Sequence, residues 1–143
     1  VRNVRALTTL GERKPLVAVV SAPRASDREV LTSSAARARA LAVLSSLEVH
    51  ERAARPPASA VGVAAGFEVF IPLDQGQDLG ELAATFARRA EKLEKSLAAA
   101  DAKLENAGFL RGAEPEVVEA ERTRRAETAS ELDLLRRNLA GLS

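Results

Sequence analysis

The sequence predicts an α+β protein in which a small βαβββ domain precedes a long antiparallel two-helix coiled-coil hairpin. Three patterns predict it: a β-branched run at residues 16–20, an alternating apolar segment at residues 67–73, and a seam of apolar positions through most of residues 78–143. We expect the small domain to span residues 11–77, the hairpin to span residues 78–143, and residues 1–10 to end a preceding helix.

The small domain begins with a short apolar strand. The run Leu-Val-Ala-Val-Val at residues 16–20 is bounded by prolines, which is typical of a strand buried on both faces. Ser26 and Glu29 have the spacing of a capping box, so they predict that a helix starts there. The side chains expected to point inward from this helix are Val30, Leu31, Ala38, Leu41 and Leu44.

Three more strands complete the predicted sheet. One helix can cover only one face of a small sheet, so we expect the opposite face or an edge to remain open. The last two strands should be joined by a tight turn near Ala65 and Gly66. The expected strand positions are residues 47–51, 60–65 and 66–73.

The predicted hairpin follows from the spacing of apolar residues. They recur in alternating steps of four and three from Leu79 to Ala107, and the same spacing resumes from Val118 to Leu142. Glycines and a proline interrupt the pattern at residues 108–115, so the helices should fold back there as a pair. The register expected across this tip places Phe86 opposite Leu135, Leu97 opposite Arg125 and Ala100 opposite Glu121.

The predicted seam changes character along its length. Its base is apolar, whereas Glu121, Arg125 and Thr128 occupy seam positions nearer the tip. Burying such groups is costly, so the tip half should be thinly packed and mobile. Phe109 lies at the tip, where its ring either folds back onto the hairpin or stacks on an RNA base.

Composition excludes most catalytic sites. The 143 residues include no Cys and one His, which removes disulfides, zinc clusters and sites that need two histidines. His50, at a predicted strand end, is interpreted as an exposed imidazole rather than a general base. We therefore assign no catalytic, cofactor or metal-binding residue. No apolar run reaches the length of a membrane span or a secretory signal, so a cytoplasmic protein is expected. The sequence contains no Met, which indicates a piece of a longer chain.

Basic residues form a stripe on the first long helix. The chain has 21 Lys and Arg against 20 Asp and Glu, so any nucleic-acid site must be local. Projection at about 100° per residue points the cations away from the partner helix, with Arg89 and Lys103 nearest the seam, and places acidic residues on the opposite flank. Such a stripe can follow a phosphate backbone, or it can be simply a solvated helix face. The candidate RNA-binding residues are Arg88, Arg89, Lys92, Lys95 and Lys103, continued by Arg111 at the tip and Arg122 beyond it.

Residues 104–122 read Leu-Glu-Asn-Ala-Gly-Phe-Leu-Arg-Gly-Ala-Glu-Pro-Glu-Val-Val-Glu-Ala-Glu-Arg. This segment resembles the turn of the C-terminal coiled coil of valyl-tRNA synthetases, for which Leu-x-Asn-x-x-Phe-Val-x-x-Ala-Pro-x-x-Val-Val-x-x-Glu-Arg is typical. Leu110 replaces a valine and Glu114 is an additional residue. Residues 67–73 resemble the strand that enters that arm, and residues 1–7 the last helix of the anticodon-binding bundle. The matching positions are Asn106, Phe109, Ala113, Pro115, Val117, Val118, Glu121 and Arg122.

The resemblance implies a non-catalytic, monomeric tRNA-binding appendage of a class I synthetase that joins valine to its tRNA with ATP. The arm would grip the outer corner of the tRNA. Its partners would be valine-specific tRNA and the rest of the synthetase, without a membrane. The His-Ile-Gly-His and Lys-Met-Ser-Lys-Ser signatures of the catalytic domain cannot be present, because the chain has one His and no Met. The alternative is a structural or protein-docking hairpin that binds no RNA.

Overall fold

The computed structural model describes residues 1, 4, 5, 8, 14–64, 66–73 and 78–142. It divides into two compact units, one formed by residues 1–82 with 140–143 and the other by residues 83–139. Val4, Arg5 and Thr8 are helical, and the predicted helix end at Gly11 lies outside the described residues. The elements that follow are β1 (Leu16–Ser21), α1 (Ala25–Ser33), α2 (Ala35–Ala42), β2 (Leu44–His50), β3 (Ser59–Ala64), β4 (Phe67–Pro72), α3 (Leu79–Glu105), α4 (Ala107–Gly112) and α5 (Pro115–Ala140).

The first unit contains a four-stranded mixed sheet in the order β2-β1-β4-β3. β1 and β2 are parallel and are connected by α1 and α2, while β4 runs antiparallel to both β1 and β3. Parallel neighbours require a crossover connection, which the two helices provide. This confirms the predicted strand and helix order. In the β3–β4 connection, Ala65 is outside the described residues and Gly66 has a φ of 89°, a conformation that favours glycine.

Strand β1 is buried on one face only, so the prediction that both faces are covered is wrong. Leu16, Ala18 and Val20 are buried, whereas Val17 between them is 37% exposed. This alternation is typical of a sheet that packs on one side and meets solvent on the other. By contrast, consecutive Phe70 and Ile71 in the central strand β4 are both buried, so both faces are covered there.

The crossover differs from the prediction. It consists of two short helices without a buried residue, and Val30 and Leu41 are 63% and 80% exposed. The proposed capping box is also wrong, because α1 begins after Arg24 and its N-cap has no side-chain hydrogen bond. The break at Ser34 changes the direction in which later side chains point. Leu44 is buried, but as the first residue of β2.

Arg5 holds the end of the crossover in place. Its guanidinium donates hydrogen bonds to the carbonyl oxygens of Lys14, Ala42 and Val43 at 2.8, 3.0 and 2.8 Å. α2 ends at Val43, whose φ of 51° is unusual for a β-branched residue. The Val43 carbonyl also accepts from the Leu16 amide. Arg5 thus supplies donors to carbonyls that the helix end leaves unsatisfied.

The long helices bury only some of the positions that the apolar spacing predicts, since Ala107 is exposed and Asn138, which was not predicted, is buried. Phe86, Ala90 and Ala100 are buried on α3, and Leu132 and Leu135 are buried on α5. The predicted tip loop is wrong in one respect, because it contains the short helix α4. Among the described residues, no helix has the length and apolar character that a membrane crossing requires.

Candidate nucleic-acid interface

Two ion pairs join α3 and α5 close to α4. Lys103 Nζ lies 2.7 Å from Glu121 Oε2, and Arg125 Nε lies 2.6 Å from Asp101 Oδ1. The partners are 18 and 24 residues apart in the chain. These bonds connect opposite flanks of α3, one basic and one acidic, to α5.

Two further pairs lie farther from α4. Arg89 bonds to Glu131, and Arg136 Nη2 lies 2.7 Å from Glu94 Oε1, and the partners are 42 positions apart in the chain in each case. The separation in sequence therefore grows with distance from α4, which is the pattern of two antiparallel helices. Basic residues on one flank of α3 meet acids of α5, and acids on the other flank meet arginines, as in the flanking positions of paired helices.

These contacts change the interpretation of two predicted site residues. Arg89 and Lys103 were expected to point away from the partner helix, but both bond to α5 carboxylates. The projection placed them nearest the seam among the basic residues, and long side chains can bridge that distance. The positive charges of Arg89 and Lys103 are therefore paired with carboxylates of the protein itself.

Two other predicted residues have local acidic partners. Lys95 lies 2.7 Å from Glu91 one turn away, and Arg122 lies 2.6 Å from Glu119. The bond to Lys95 lowers the pKa of the Glu91 carboxyl and raises the pKa of the Lys95 ammonium. All four side chains are strongly exposed, so solvent screens these pairs and either cation can exchange its partner at little cost.

The remaining predicted residues have no carboxylate partner in the described part of the chain. Arg88 donates a hydrogen bond to the Thr85 hydroxyl at 3.2 Å, and Lys92 and Arg111 are exposed. Arg124 is also exposed and forms no ion pair within the same described part, although its charge acts on Glu121, and it was not among the selected residues. No signal in the sequence indicated this, because acids stand at both i±3 positions, Glu121 and Glu127.

The polar seam positions near α4 are half-buried, in line with the expected thin packing. Only 13% of the Glu121 side chain is exposed, and its hydrogen bond with Lys103 lowers the pKa of the Glu121 carboxyl. The hydrogen bond to Asp101 raises the pKa of Arg125. The Thr128 hydroxyl donates a hydrogen bond to the Arg124 carbonyl oxygen. In this part of the seam, charged hydrogen bonds therefore accompany the buried side chains of Ala100 and Val118.

The tip is organised by Asn106 and Lys103. The Asn106 side chain accepts from the Phe109 amide at 3.0 Å and caps α4. Lys103 Nζ lies 4.9 Å from the centre of the half-buried Phe109 ring, within the range of a cation–π contact. Lys103 therefore connects the tip helix to α5 through Glu121, a role that its place in the basic stripe did not indicate.

Comparison with known proteins identifies the region that contains these contacts. Residues 78–143 match the family model described as the valyl tRNA synthetase tRNA binding arm. Similar proteins include the valine–tRNA ligases of Treponema denticola, 31% identical over 99% of this chain, and Symbiobacterium thermophilum, 32% identical over 99%. The Geobacter sulfurreducens valine–tRNA ligase is 28% identical over 94%.

The match occupies a small part of each relative. This chain spans 16% of the length of the Treponema and Symbiobacterium proteins and 15% of the Geobacter protein. The similarity nevertheless extends over nearly all of this chain, beyond the residues matched by the family model. The chain therefore belongs to the valyl-tRNA synthetase family, and its residues 78–143 correspond to the tRNA-binding arm.

Proposed function

We propose that this chain is a non-catalytic tRNA-binding appendage of a valine–tRNA ligase and that residues 78–143 form an antiparallel coiled-coil arm. The observation that carries the proposal is the match of those residues to the tRNA-binding arm. The buried seam and the ion pairs on both flanks of α3 support the coiled-coil assignment.

The arm would bind the tRNA backbone through cations that bond no carboxylate within the described residues. Arg88 and Lys92 lie one turn apart on α3, and Arg111 lies on the tip helix. Each phosphate that such a group neutralises releases condensed counterions, which supplies affinity without reading sequence. Lys95 and Arg122 would also bind phosphates once their ion pairs with Glu91 and Glu119 open. Arg89 and Lys103 would mainly hold the two helices together.

The arm would support aminoacylation by positioning the tRNA at its outer corner, in the service of protein biosynthesis. The small α+β domain would carry the arm, and residues 1–10 would end the anticodon-binding bundle. Activation of valine with ATP would occur elsewhere in the parent enzyme, so this segment needs no cofactor of its own. The setting would be the cytoplasm, with the parent chain acting as a monomer.

Binding of the 143-residue chain to valine-specific tRNA tests the proposal directly. A fluorescence anisotropy titration at several salt concentrations should give a log–log slope of about −3, because roughly three phosphates meet unpaired cations. Replacing Arg88 and Lys92 with Gln should weaken binding of every tRNA alike and flatten the slope by about two contacts' worth.

The control for that double variant is Arg37→Gln with Arg52→Gln. Both arginines are exposed and lack an ion pair within the described residues, and they lie in the first unit. The control therefore removes the same charge away from the arm. Equal losses in the two double variants would contradict the arm assignment. Absence of binding at low salt would favour the structural or protein-docking alternative.

A further inference from the structure

A groove lies between α3 and α5 in the ion-paired part of the second unit. Its volume is about 370 Å³, which falls within the size range of small-ligand sites. The walls combine small side chains with charged ones near the opening. The lining residues are Leu93, Ser96, Ala99 and Ala100, with Lys103, Glu121, Arg124 and Thr128.

The groove exists because the residues that meet here are too small to fill the space between two helices. Ser96, Ala99 and Ala100 end close to the α3 backbone, and Thr128 is short and bonds its own helix. The longer Glu121 turns toward Lys103 and does not enter the space as an apolar side chain would. The predicted approach of Ala100 to Glu121 is consistent with both lining the same groove.

The charges at the groove favour an anionic occupant. Lys103 bonds the Glu121 carboxylate at 2.7 Å, and Arg124 acts on the same carboxylate through its charge without an ion pair within the described residues, so two cations share one acid at the groove. A divalent cation does not fit this set, because one carboxylate is present and it already holds an ammonium. The Ser96 hydroxyl is exposed and available, and Leu93 and Ala99 offer apolar surface.

We infer that this groove receives a single nucleotide of an RNA strand. The Arg124 guanidinium would hold its phosphate, the Ser96 hydroxyl would bond the ribose, and the base would lie on Leu93 and Ala99. This inference rests on the proposed function. It adds a binding site for one nucleotide, the nucleotide seat, to the cations that contact only the phosphate backbone. Arg124 presents a planar donor group suited to phosphate oxygens.

Filling the groove tests the inference without disturbing the core. Ala98 and Ala99 are adjacent, exposed residues of α3, but only Ala99 lines the groove. Ala99→Leu should weaken binding of valine-specific tRNA about five- to tenfold, because the added side chain occupies the space of the base. Ala98→Leu adds the same side chain outside the groove and should leave affinity unchanged. Circular dichroism should show equal helicity in both variants.

Loss of the phosphate contact gives a second readout. Arg124→Gln should reduce affinity, and combining it with Ala99→Leu should cost less than the two single effects together, because both act on one seat. Arg52→Gln in the first unit is the charge-matched control. In NMR titrations, uridine 5′-monophosphate should shift the amide signals of Ser96 and Ala99, and uridine should do so more weakly.

The outcomes separate this inference from the proposed function. If Ala99→Leu and Ala98→Leu both bind tRNA like the unaltered chain while Arg88→Gln with Lys92→Gln is weakened, the nucleotide seat is refuted and the tRNA-binding arm stands. If the unaltered chain binds no tRNA, the proposed function fails. Unchanged amide signals on adding the mononucleotide, together with unaltered affinity in Arg124→Gln, would also overturn the seat.

Discussion

The two halves of the long helix pair both carry ion pairs between α3 and α5, but they differ in the size of the apolar side chains that they bury. In the half next to α4, the tip half (residues 97–128), half-buried Glu121 and Arg125 bond across to α3, and the buried apolar residues are Ala100 and Val118. In the other half, the base half (residues 83–96 and 129–139), Phe86, Leu132 and Leu135 are buried. Apolar burial is insensitive to what approaches the surface, whereas a surface cation can exchange a carboxylate for a phosphate. The larger buried side chains therefore give the base half more of its stability, and the tip half depends more on its charged contacts.

The largest expected effect is the loss of an apolar contact in the base half. Leu135→Ala should lower the free energy of unfolding by about 2–5 kcal/mol, because Leu135 is buried and its removal leaves a cavity. Leu97→Ala in the tip half should cost less than about 2 kcal/mol, since Leu97 is half-buried. Urea denaturation followed by circular dichroism measures both. Equal losses would show that the two halves are packed alike.

The tip aromatic ring should give the next largest effect. Phe109→Ala should cost about 1 kcal/mol in the absence of RNA, because the ring is half-buried and contacts the Lys103 ammonium. Phe109→Leu is the matched control, since it retains apolar volume without the π-system, and it should recover part of the loss. Thermal unfolding measures both variants. A change in tRNA affinity without any change in stability would instead assign the ring to base stacking.

Removing the carboxylate that pairs with Arg89 should change tRNA affinity more than stability. Glu131→Gln leaves Arg89 without its carboxylate, so tRNA affinity should rise about two- to threefold and the salt slope should steepen by about one contact. Stability should change by less than about 1 kcal/mol, because the pair is exposed.

Glu105→Gln is the control for this release. Glu105 is an exposed acid of α3 without an ion pair in the described chain, so it changes the net charge equally and frees no cation. The two variants should differ in tRNA affinity measured by anisotropy. If both raise affinity by the same factor, net charge accounts for the effect and the Arg89 pair does not.

The smallest expected effect is a pH dependence of the Lys103–Glu121 contact. Lys103 lowers the pKa of Glu121 from its ordinary value of 4.5 in the folded chain. The stabilisation is therefore complete above the unfolded pKa and disappears as the pH falls through the lower folded value. The protection of amides near residue 121 against hydrogen exchange, taken relative to the intrinsic exchange rate at each pH, should fall below about pH 4.5, before protection near Leu135 does. Glu121→Gln should remove this difference, and its persistence would assign the acid sensitivity to another group.

The sequence predicted the long helices well because their apolar residues recur with one period over many turns. A period of this kind specifies both the helix and its buried side, as Phe86 and Leu135 show. The crossover between β1 and β2 is too short for an apolar period to repeat over many turns. Five apolar residues suggested an inward face, but one break at Ser34 was enough to leave two of them, Val30 and Leu41, exposed.

The candidate site was predicted by residue type but only partly by role. Segregation of charge on α3 was visible in the sequence, yet the same pattern serves both RNA binding and pairing with a second helix. Arg89 and Lys103 serve the pairing. Only the location of acids on α5 distinguishes the two roles, and that requires the register of both helices. The groove could not be predicted, because it depends on the space that small side chains leave between helices.

The contact of Arg5 with the end of α2 sets a practical limit for dissecting this protein. Because its bonds reach Ala42 and Val43, 37 and 38 residues away, the parallel β1–β2 pair is completed by a side chain from outside the segment that forms it. A recombinant small domain that starts at residue 11 would remove the Arg5 donor from both carbonyls and leave Val43 with the Leu16 amide alone. The shortest independently stable version should therefore begin before Arg5, and its folding should involve closing a loop of nearly forty residues.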